Sequence, residues 1–413
     1  MIPTDPEVAI VGAGCAGIAA ARSLRAMGRS CVVLEAAPRV GGRAYTESAK
    51  MGAPFDHGAT WLHEAGANPL TPHAPSAIDH DTVRERCLWL GDRWATPEEL
   101  REQNGALDAF ETQVFDAFAD GQRDRAVSEV APKGGRWDAT IAHWLGAQIN
   151  ASSLAEISLE DFVKTDLSGP NLLPREGVGG VVARLATGLP ILTNARIERI
   201  RWDGPGVTLE GGFGTLRARS AIVTVSTGVL AAGGIRFTPD LPAPVKEAVH
   251  NLPLGLLTKI AFRAAGDDRL GIAPFHSARQ SVGPHAPHPF GWIFWPYGHD
   301  HLFGFVGGSR AWDLAREGPR ALEDAARQDL RAMFGTRADR LLGRCTLTEW
   351  GTDPLHLGSY SHARPGHHAA RARLAEPLAG GRLLFAGEAC HARYGATVAG
   401  AWLSGEAAAR SAA

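Results

Sequence analysis

The run Val8-Ala9-Ile10-Val11-Gly12-Ala13-Gly14-Cys15-Ala16-Gly17 constrains this chain more than any other feature. A short β-branched apolar segment enters a turn with glycine at three set positions. An Ala-rich stretch of helical character follows to Ala26, with Gly28 as its stop. Each glycine answers a separate steric demand. Gly12 permits the tight turn, Gly14 lets backbone approach a pyrophosphate, and Gly17 lets the helix pack closely on the strand, while the helix N-terminus favours an anion. Cys31-Val32-Val33-Leu34 reads as a second buried strand. Glu35, about twenty residues past the turn, ends it where a carboxylate accepts ribose hydroxyl bonds. The pattern is β-turn-α-β, the opening of a doubly wound parallel sheet. The acid argues against a 2′-phosphorylated cofactor and leaves FAD and NAD both open.

Arg39-Val40-Gly41-Gly42-Arg43 follows directly, and two arginines flanking a flexible glycine pair suit a second clamp on a diphosphate. A plain NAD domain has no need of such a loop there. The 413 residues exceed one typical domain, and 45% apolar with 21% charged residues is ordinary for a globular core. A formal charge of −2 gives no support to a nucleic-acid partner or a polybasic membrane anchor. No apolar run reaches the roughly 18 residues of a spanning helix. Cys15, Cys31, Cys87, Cys345 and Cys390 show no CxxC spacing, so neither a disulfide framework nor a metal site is expected. Met1 to Glu7 carry no basic stretch and apolar core ahead of the first strand. These features together predict a soluble, cytoplasmic chain. The absence of a GxSxG elbow removes support for hydrolase chemistry.

Helical spacing of Leu107, Phe110, Val114 and Phe118, with further helical stretches at 137–149 and 159–167, predicts a helical insertion over 76–170. Residues 191–200, 207–209 and 216–225, separated by glycine-rich spacers, predict a three-stranded meander. Residues 257–262, 291–295 and 302–306 predict a second sheet, and 321–334 an amphipathic helix. His299-Asp300-His301 looks metal-like but reads as a hairpin turn. A strand at 383–385, a loop through Ala386-Gly387-Glu388, and a helix over 397–410 close the chain. With no repeat and no long linker, the domains are expected to interleave.

Taken in order, these pieces resemble the flavin-containing amine oxidase family, which includes monoamine oxidases, polyamine oxidases and histone lysine demethylases. The matching segments are the glycine turn with Glu35, Arg39–Arg43, Phe55-Asp56-His57-Gly58-Ala59-Thr60-Trp61-Leu62-His63 and Gly177-Val178-Gly179-Gly180. They continue through residues 221–230, Leu257-Thr258-Lys259-Ile260, Trp350, Gly358-Ser359-Tyr360-Ser361, Ala386-Gly387-Glu388-Ala389 and Thr397-Val398-Ala399-Gly400-Ala401. The resemblance implies an α/β protein: a Rossmann-like FAD-binding domain from 1–75, 171–250 and 376–413, interleaved with a mixed-sheet-plus-helices (α+β) substrate domain from 76–170 and 251–375. Its cofactor set here is Gly12, Gly14, Ala16, Gly17, Glu35, Ala36, Gly42, Arg43, Gly58, Ala59, Thr60, Ile197, Trp350, Gly387, Glu388, Thr397 and Val398. Ile197 would pair its backbone with the adenine, Gly387-Glu388 would contact the diphosphate and ribityl chain, and Thr397 would open the last helix under the flavin's pyrimidine end.

The same resemblance places Lys259 beside flavin N5, holding a water and relaying protons, and makes Tyr360 one wall of an aromatic cage around the amine. Ser359 stands where monoamine oxidases carry the cysteine bonded to flavin, so the FAD is expected to be non-covalent. Thr397 stands where they carry a second tyrosine, a departure that favours the polyamine oxidase and demethylase branch. Trp61 and His63 would line the active-site floor, with His63 orienting the amine or accepting its proton, and Glu64 would attract a distal cation. Phe305, with Trp292 and Trp295, would roof the cavity. The implied activity is oxidation of a polyamine-like or arylalkyl amine by hydride transfer to the flavin, with molecular oxygen or another acceptor taking the electrons and hydrogen peroxide forming in the first case. An L-amino-acid oxidase or desaturase on the same fold, and a redox-silent binding protein, are the alternatives. The expected partners are thus a small amine and an electron acceptor, with no nucleic acid and no membrane.

Overall fold

Val8–Val11 and Cys31–Leu34 are buried along their whole length, as strands covered on both faces must be. In the computed structural model, which describes residues 5–283 and 288–413, they form the middle of a five-stranded parallel sheet. Its order is Leu383–Phe385, Ser220–Val223, Val8–Val11, Cys31–Leu34 and Ile191–Leu192. Met1–Thr4, part of the segment read as lacking a leader, lie outside the described residues. Alternation splits the first strand between two cores. Val8 and Ile10 face the helices Cys15–Ala26 and Val398–Ser411, while Ala9 and Val11 face an antiparallel layer built on Ile197, Ile200 and Leu209. The two helices cross where Gly405 meets Ala16; a Cβ there would overlap the Ala16 carbonyl.

The predicted meander is present only in its middle. Ile197–Arg201, Val207–Gly211 and Gly214–Ala218 pair antiparallel, with Arg236–Thr238 added parallel to the first. Its expected ends belong to the parallel sheet instead: Ile191–Leu192 pairs with the second strand and Ser220–Val223 with the first. A four-residue buried run carries no period, so spacing alone does not assign it to one sheet or the other.

The second sheet has six strands in the order Leu342–Leu347, Leu257–Ala264, His301–Gly307, Gly291–Phe294, Ser277–Gln280 and Arg86–Trp89. The last comes from the segment expected to be a helical insertion and pairs parallel with its neighbour. His301, expected in a turn, is buried at the start of a strand, stacked on His299 at 5.9 Å. No group of metal-ligating side chains occurs among the described residues.

Elsewhere the insertion is helical as expected. Thr96 and Glu99 form a capping box that starts the helix Pro97–Ala119, which buries Phe110 and Val114. Asp138–His143 does not continue as an ordinary helix through 149: Trp144–Ile149 widens into a π-type turn, and that turn borders the cavity described below. No described helix is long and apolar enough to cross a membrane.

One buried ionic cluster ties the insertion to the parallel-sheet part. Asp161 accepts from Arg371 at 2.6 and 2.9 Å, and His368 lies 2.9 Å away. Arg371 is 1% exposed and also donates to Ser361. Burial alone would raise the Asp161 carboxyl, but the charge and hydrogen bonds of Arg371 more than offset it and hold the group well below the usual range. Because the folded value is depressed, this stabilisation is fully present at neutral pH and is lost as pH falls below about 4. Asp161→Asn is therefore expected to cost ~3–5 kcal/mol by chemical denaturation at neutral pH, since it strands a buried guanidinium. The difference between wild type and variant should shrink in acid.

Candidate active site

The glycine turn is built as its spacing predicts. Gly12 has φ +102°, and a Cβ there would lie 2.7 Å from the Thr224 hydroxyl, which itself bonds the Val11 carbonyl at 2.9 Å. A Cβ on Gly17 would overlap the Gly12 carbonyl, whereas nothing crowds Gly14, which faces the cavity. Glu35 accepts the amides of Ala13 at 2.6 Å and Ala37 at 2.7 Å, so it braces the turn as well as facing the cavity. The Gly41-Gly42 loop folds back onto this turn, with the Gly41 amide on the Ala13 carbonyl at 2.8 Å.

The two flanking arginines hold protein first. Arg39 stacks on Tyr45 at 4.0 Å and donates to the Gly42 carbonyl at 2.9 Å. Arg43 donates to the Ser359 carbonyl at 2.6 Å and to Glu388 at 3.0 Å. Glu388 also accepts from the Ser361 hydroxyl at 2.6 Å and the Ala396 amide at 3.1 Å. Thr397 caps the final helix through the Gly400 amide at 3.0 Å, leaving that helix N-terminus open to the cavity beside Val398.

Lys259 lies on the strand Leu257–Ala264 and is 4% exposed. Its ammonium donates to the Asp56 carbonyl at 3.3 Å, the Gly58 carbonyl and the Thr60 hydroxyl. Burial lowers it to about 8, with the Asp56 carboxylate pulling the other way. That carboxylate is occupied in capping the helix Val178–Leu185, through the amides of Val178 at 3.0 Å and Gly179 at 3.2 Å. Trp350 reaches the same segment, its indole on the His57 carbonyl at 3.3 Å.

Tyr360 donates its hydroxyl to the Ile149 carbonyl of the π-type turn at 2.7 Å, and burial raises its pKa, with Glu388 adding to the rise. Trp61 bonds His80 at 3.0 Å. His63 lies 2.6 Å from the Asn171 side chain, and burial lowers its pKa, so the ring is neutral at pH 7. Asn171 and Arg84 both donate to Asp81, at 2.7 and 2.9 Å. Phe305 and Trp292 line the cavity as expected.

Two expected members do not. Glu64 is not among the residues lining the cavity, and its carboxylate pairs with Arg393 at 3.0 Å beside the lining residue Asp166. Trp295 leaves its strand at φ +48° and packs in the core behind the sheet. Sequence reasoning missed Asn171, Asp81, His80, Trp144 and Arg279, all of which line the cavity. No local signal marked them, and the strand Ser277–Gln280 that carries Arg279 lay outside the expected second sheet.

One continuous cavity of about 640 Å³ joins Glu35, Ala36 and Ile197 at one end to Lys259, Tyr360 and Phe305 at the other. Gly12, Gly14, Ala16, Gly42, Arg43, Gly58, Ala59, Thr60, Trp350, Gly387 and Glu388 lie between; Gly17 is sealed inside the helix–strand contact. The residues fit FAD: a turn that Cβ atoms would fill, a ribose-height carboxylate, and a second helix N-terminus at the far end. At the far end a serine, not a cysteine, stands at position 359. Ser359 presents a hydroxyl bonded to the Gly255 carbonyl at 3.2 Å, and burial pushes the Cys15 thiol, 3.4 Å from the Val398 carbonyl, up to about 12.

A family model described as flavin containing amine oxidoreductase matches residues 15–413. Among curated relatives, a rice (Oryza sativa subsp. japonica) protein named Lysine-specific histone demethylase 1 homolog 3 is 31% identical over 98% of this chain and 54% of its own length. Polyamine oxidase 4 of the same plant is 29% identical over 98% of this chain and 88% of its own. The chain thus spans about half the length of the curated relatives it matches first. Cyclohexylamine oxidase from Brevibacterium oxydans IH-35A shares the fold at a TM-score of 0.78, with 22% identity and 98% of both chains covered. A cofactor-binding redesign of putrescine oxidase does so at 0.78 with 19% identity.

Two measurements test this description. Lys259→Met removes a buried charge whose penalty is present at neutral pH and fades as pH rises from about 8 past the unfolded value. At pH 7 the penalty is ~3 kcal/mol before the lost hydrogen bonds are counted. The stability of wild type relative to Lys259→Met should therefore increase between pH 7 and 10. Gly17→Ala forces the first helix off its strand, and equilibrium dialysis with FAD should show binding reduced by at least about tenfold.

Proposed function

Because the chain belongs to the flavin-containing amine oxidoreductases, we propose that it is an FAD-dependent amine oxidase. In this reading a primary or secondary amine is oxidised to the imine, water hydrolyses the imine to an aldehyde and an amine or ammonia, and molecular oxygen leaves as hydrogen peroxide. The observation that supports it most is Lys259, an ammonium buried at the end of the cofactor cavity with only two carbonyls and a hydroxyl to hold it. When bound, the flavin supplies the two-electron acceptor for the hydride of the amine's α-C–H.

The chain's own residues then have three tasks. Tyr360, Trp61 and Phe305 form an apolar enclosure that excludes water and favours the neutral amine, by the same desolvation that lowers Lys259. His63, neutral and oriented by Asn171, receives the amine's proton or holds its N–H through the nitrogen that Asn171 does not engage. Lys259, poised near neutrality, passes protons toward oxygen, which takes up two electrons and two protons overall.

This reading assigns 1–75, 171–250 and 376–413 to the cofactor and 76–170 and 251–375 to the substrate. The five free cysteines favour a reducing compartment such as the cytoplasm. The deciding experiment is the visible spectrum of the purified, FAD-loaded protein during anaerobic addition of an amine panel. Flavin absorbance should bleach with an amine and recover in air with stoichiometric peroxide. Lys259→Met should slow that recovery by about tenfold or more while anaerobic bleaching persists. Bound flavin that no amine bleaches would overturn the proposal.

A further inference from the structure

The six-stranded sheet sets four residues in one row across its cavity face. Lys259 pairs with Phe305, and Phe305 pairs with Gly291. Ala278 pairs with Trp292, so the next antiparallel step brings Arg279 opposite Gly291. Three strand spacings put the Lys259 and Arg279 backbones ~14 Å apart. Between them the wall is apolar. Phe305 lies over Gly291, where a Cβ would come within 2.9 Å of its ring, and Trp144 stands 6.3 Å from Phe305.

Arg279 ends the row, its guanidinium stacked on Trp144 at 3.6 Å and lining the cavity. It makes no hydrogen bond or ion pair with any described residue, and its Nε is buried without a partner. Its nearest charges have the same sign. Arg86, opposite Ser277 in the adjoining strand, and Arg84 both line the same end of the cavity. The carboxylate beside Arg84 is committed: Asp81 holds Arg84 at 2.9 Å and Asn171 at 2.7 and 3.0 Å, while Glu85 pairs with His276. On the insertion wall, Asp166 faces Arg393 and Glu64, and Glu111 feels the like charges of Asp166 and Asp108; none of Arg84, Arg86 and Arg279 acts on either.

A guanidinium held flat against an indole, short of acceptors and repelled by its neighbours, is costly unless an anion completes it. We propose that Arg279, with Arg86 and Arg84 behind it, recognises a carboxylate at the far end of the amine substrate, which makes that substrate an ω-amino carboxylate. The proposal rests on the amine oxidase reading. The row also separates it from α-amino acids, whose carboxylate sits on the carbon being oxidised and would stay at the Lys259 end. The apolar stretch over Phe305 accommodates the intervening methylenes, and Trp144 keeps the guanidinium edge turned toward the approaching oxygens.

The test compares ω-aminohexanoate, hexylamine and hexanediamine as reductants of the FAD-loaded protein under anaerobic conditions. The amino acid should exceed both others in kcat/KM by about tenfold or more, as a two-pronged charged contact implies. In Arg279→Met the ratio of aminohexanoate to hexylamine should fall to near one. Arg279→Lys should retain part of it, because a point charge lacks the planar fork. A second readout needs no turnover: adipate should perturb the flavin spectrum of wild type and lose that effect in Arg279→Met. Hexylamine equal to aminohexanoate in wild type would overturn the proposal, and a preference for the diamine would shift recognition to Glu111 and Asp166. If no amine bleaches the flavin, the amine oxidase reading falls, and the adipate titration still decides whether Arg279 binds a carboxylate.

Discussion

Glu388 is the point through which the cavity is held together. It is 6% exposed, and a carboxylate that deep survives only if its oxygens are filled. Arg43, Ser361 and Ala396 fill them, and each comes from a different part of the chain. Ser361 in turn receives Arg371, which holds Asp161 in the insertion. The line of partners runs from the Gly41-Gly42 loop through Glu388 and Ser361 to the helical insertion. Such a network stabilises little relative to an apolar core, but any break in it leaves a charge stranded. It therefore acts less as glue than as a register, fixing where the insertion sits over Tyr360.

Lys259 follows the opposite logic. It has no carboxylate partner at hydrogen-bond distance, because the carboxyl of Asp56 is turned to cap a helix while its carbonyl faces the amine. A tight ion pair would have pinned the ammonium in its charged form. Carbonyl and hydroxyl partners leave desolvation in control and bring the group to about 8. The same residue, Asp56, thus organises the sheet side and keeps the amine titratable.

Much of this was legible in the sequence where one residue type answers one local demand. The glycine turn and Glu35 could be read because backbone approach has few solutions. The helix Pro97–Ala119 was legible through the helical spacing of Leu107, Phe110, Val114 and Phe118. The short buried strands were assigned to the wrong sheet because four apolar residues carry no period. The partner of Glu64 was not legible because Arg393 lies more than three hundred residues away in sequence. Asn171, Asp81 and His80 could not be found, since nothing local marks a polar residue whose role is to hold another one.

The division between what was legible and what was not follows a division in the molecule. Cofactor-facing residues sit on turns and helix ends, where backbone geometry restricts the choice. Residues of the outer cavity sit on strand faces, where position depends on register and any side chain that packs is allowed. Along the row from Lys259 to Arg279, only the first residue is tied to the cofactor end by hydrogen bonds. Phe305 and Gly291 set the length and smoothness of the path, and Arg279 sets the charge at its end. A change at 279 or 291 can therefore alter what reaches the far wall while Lys259 keeps its three partners. One sheet face carries both parts, and its strand spacing keeps them about 14 Å apart.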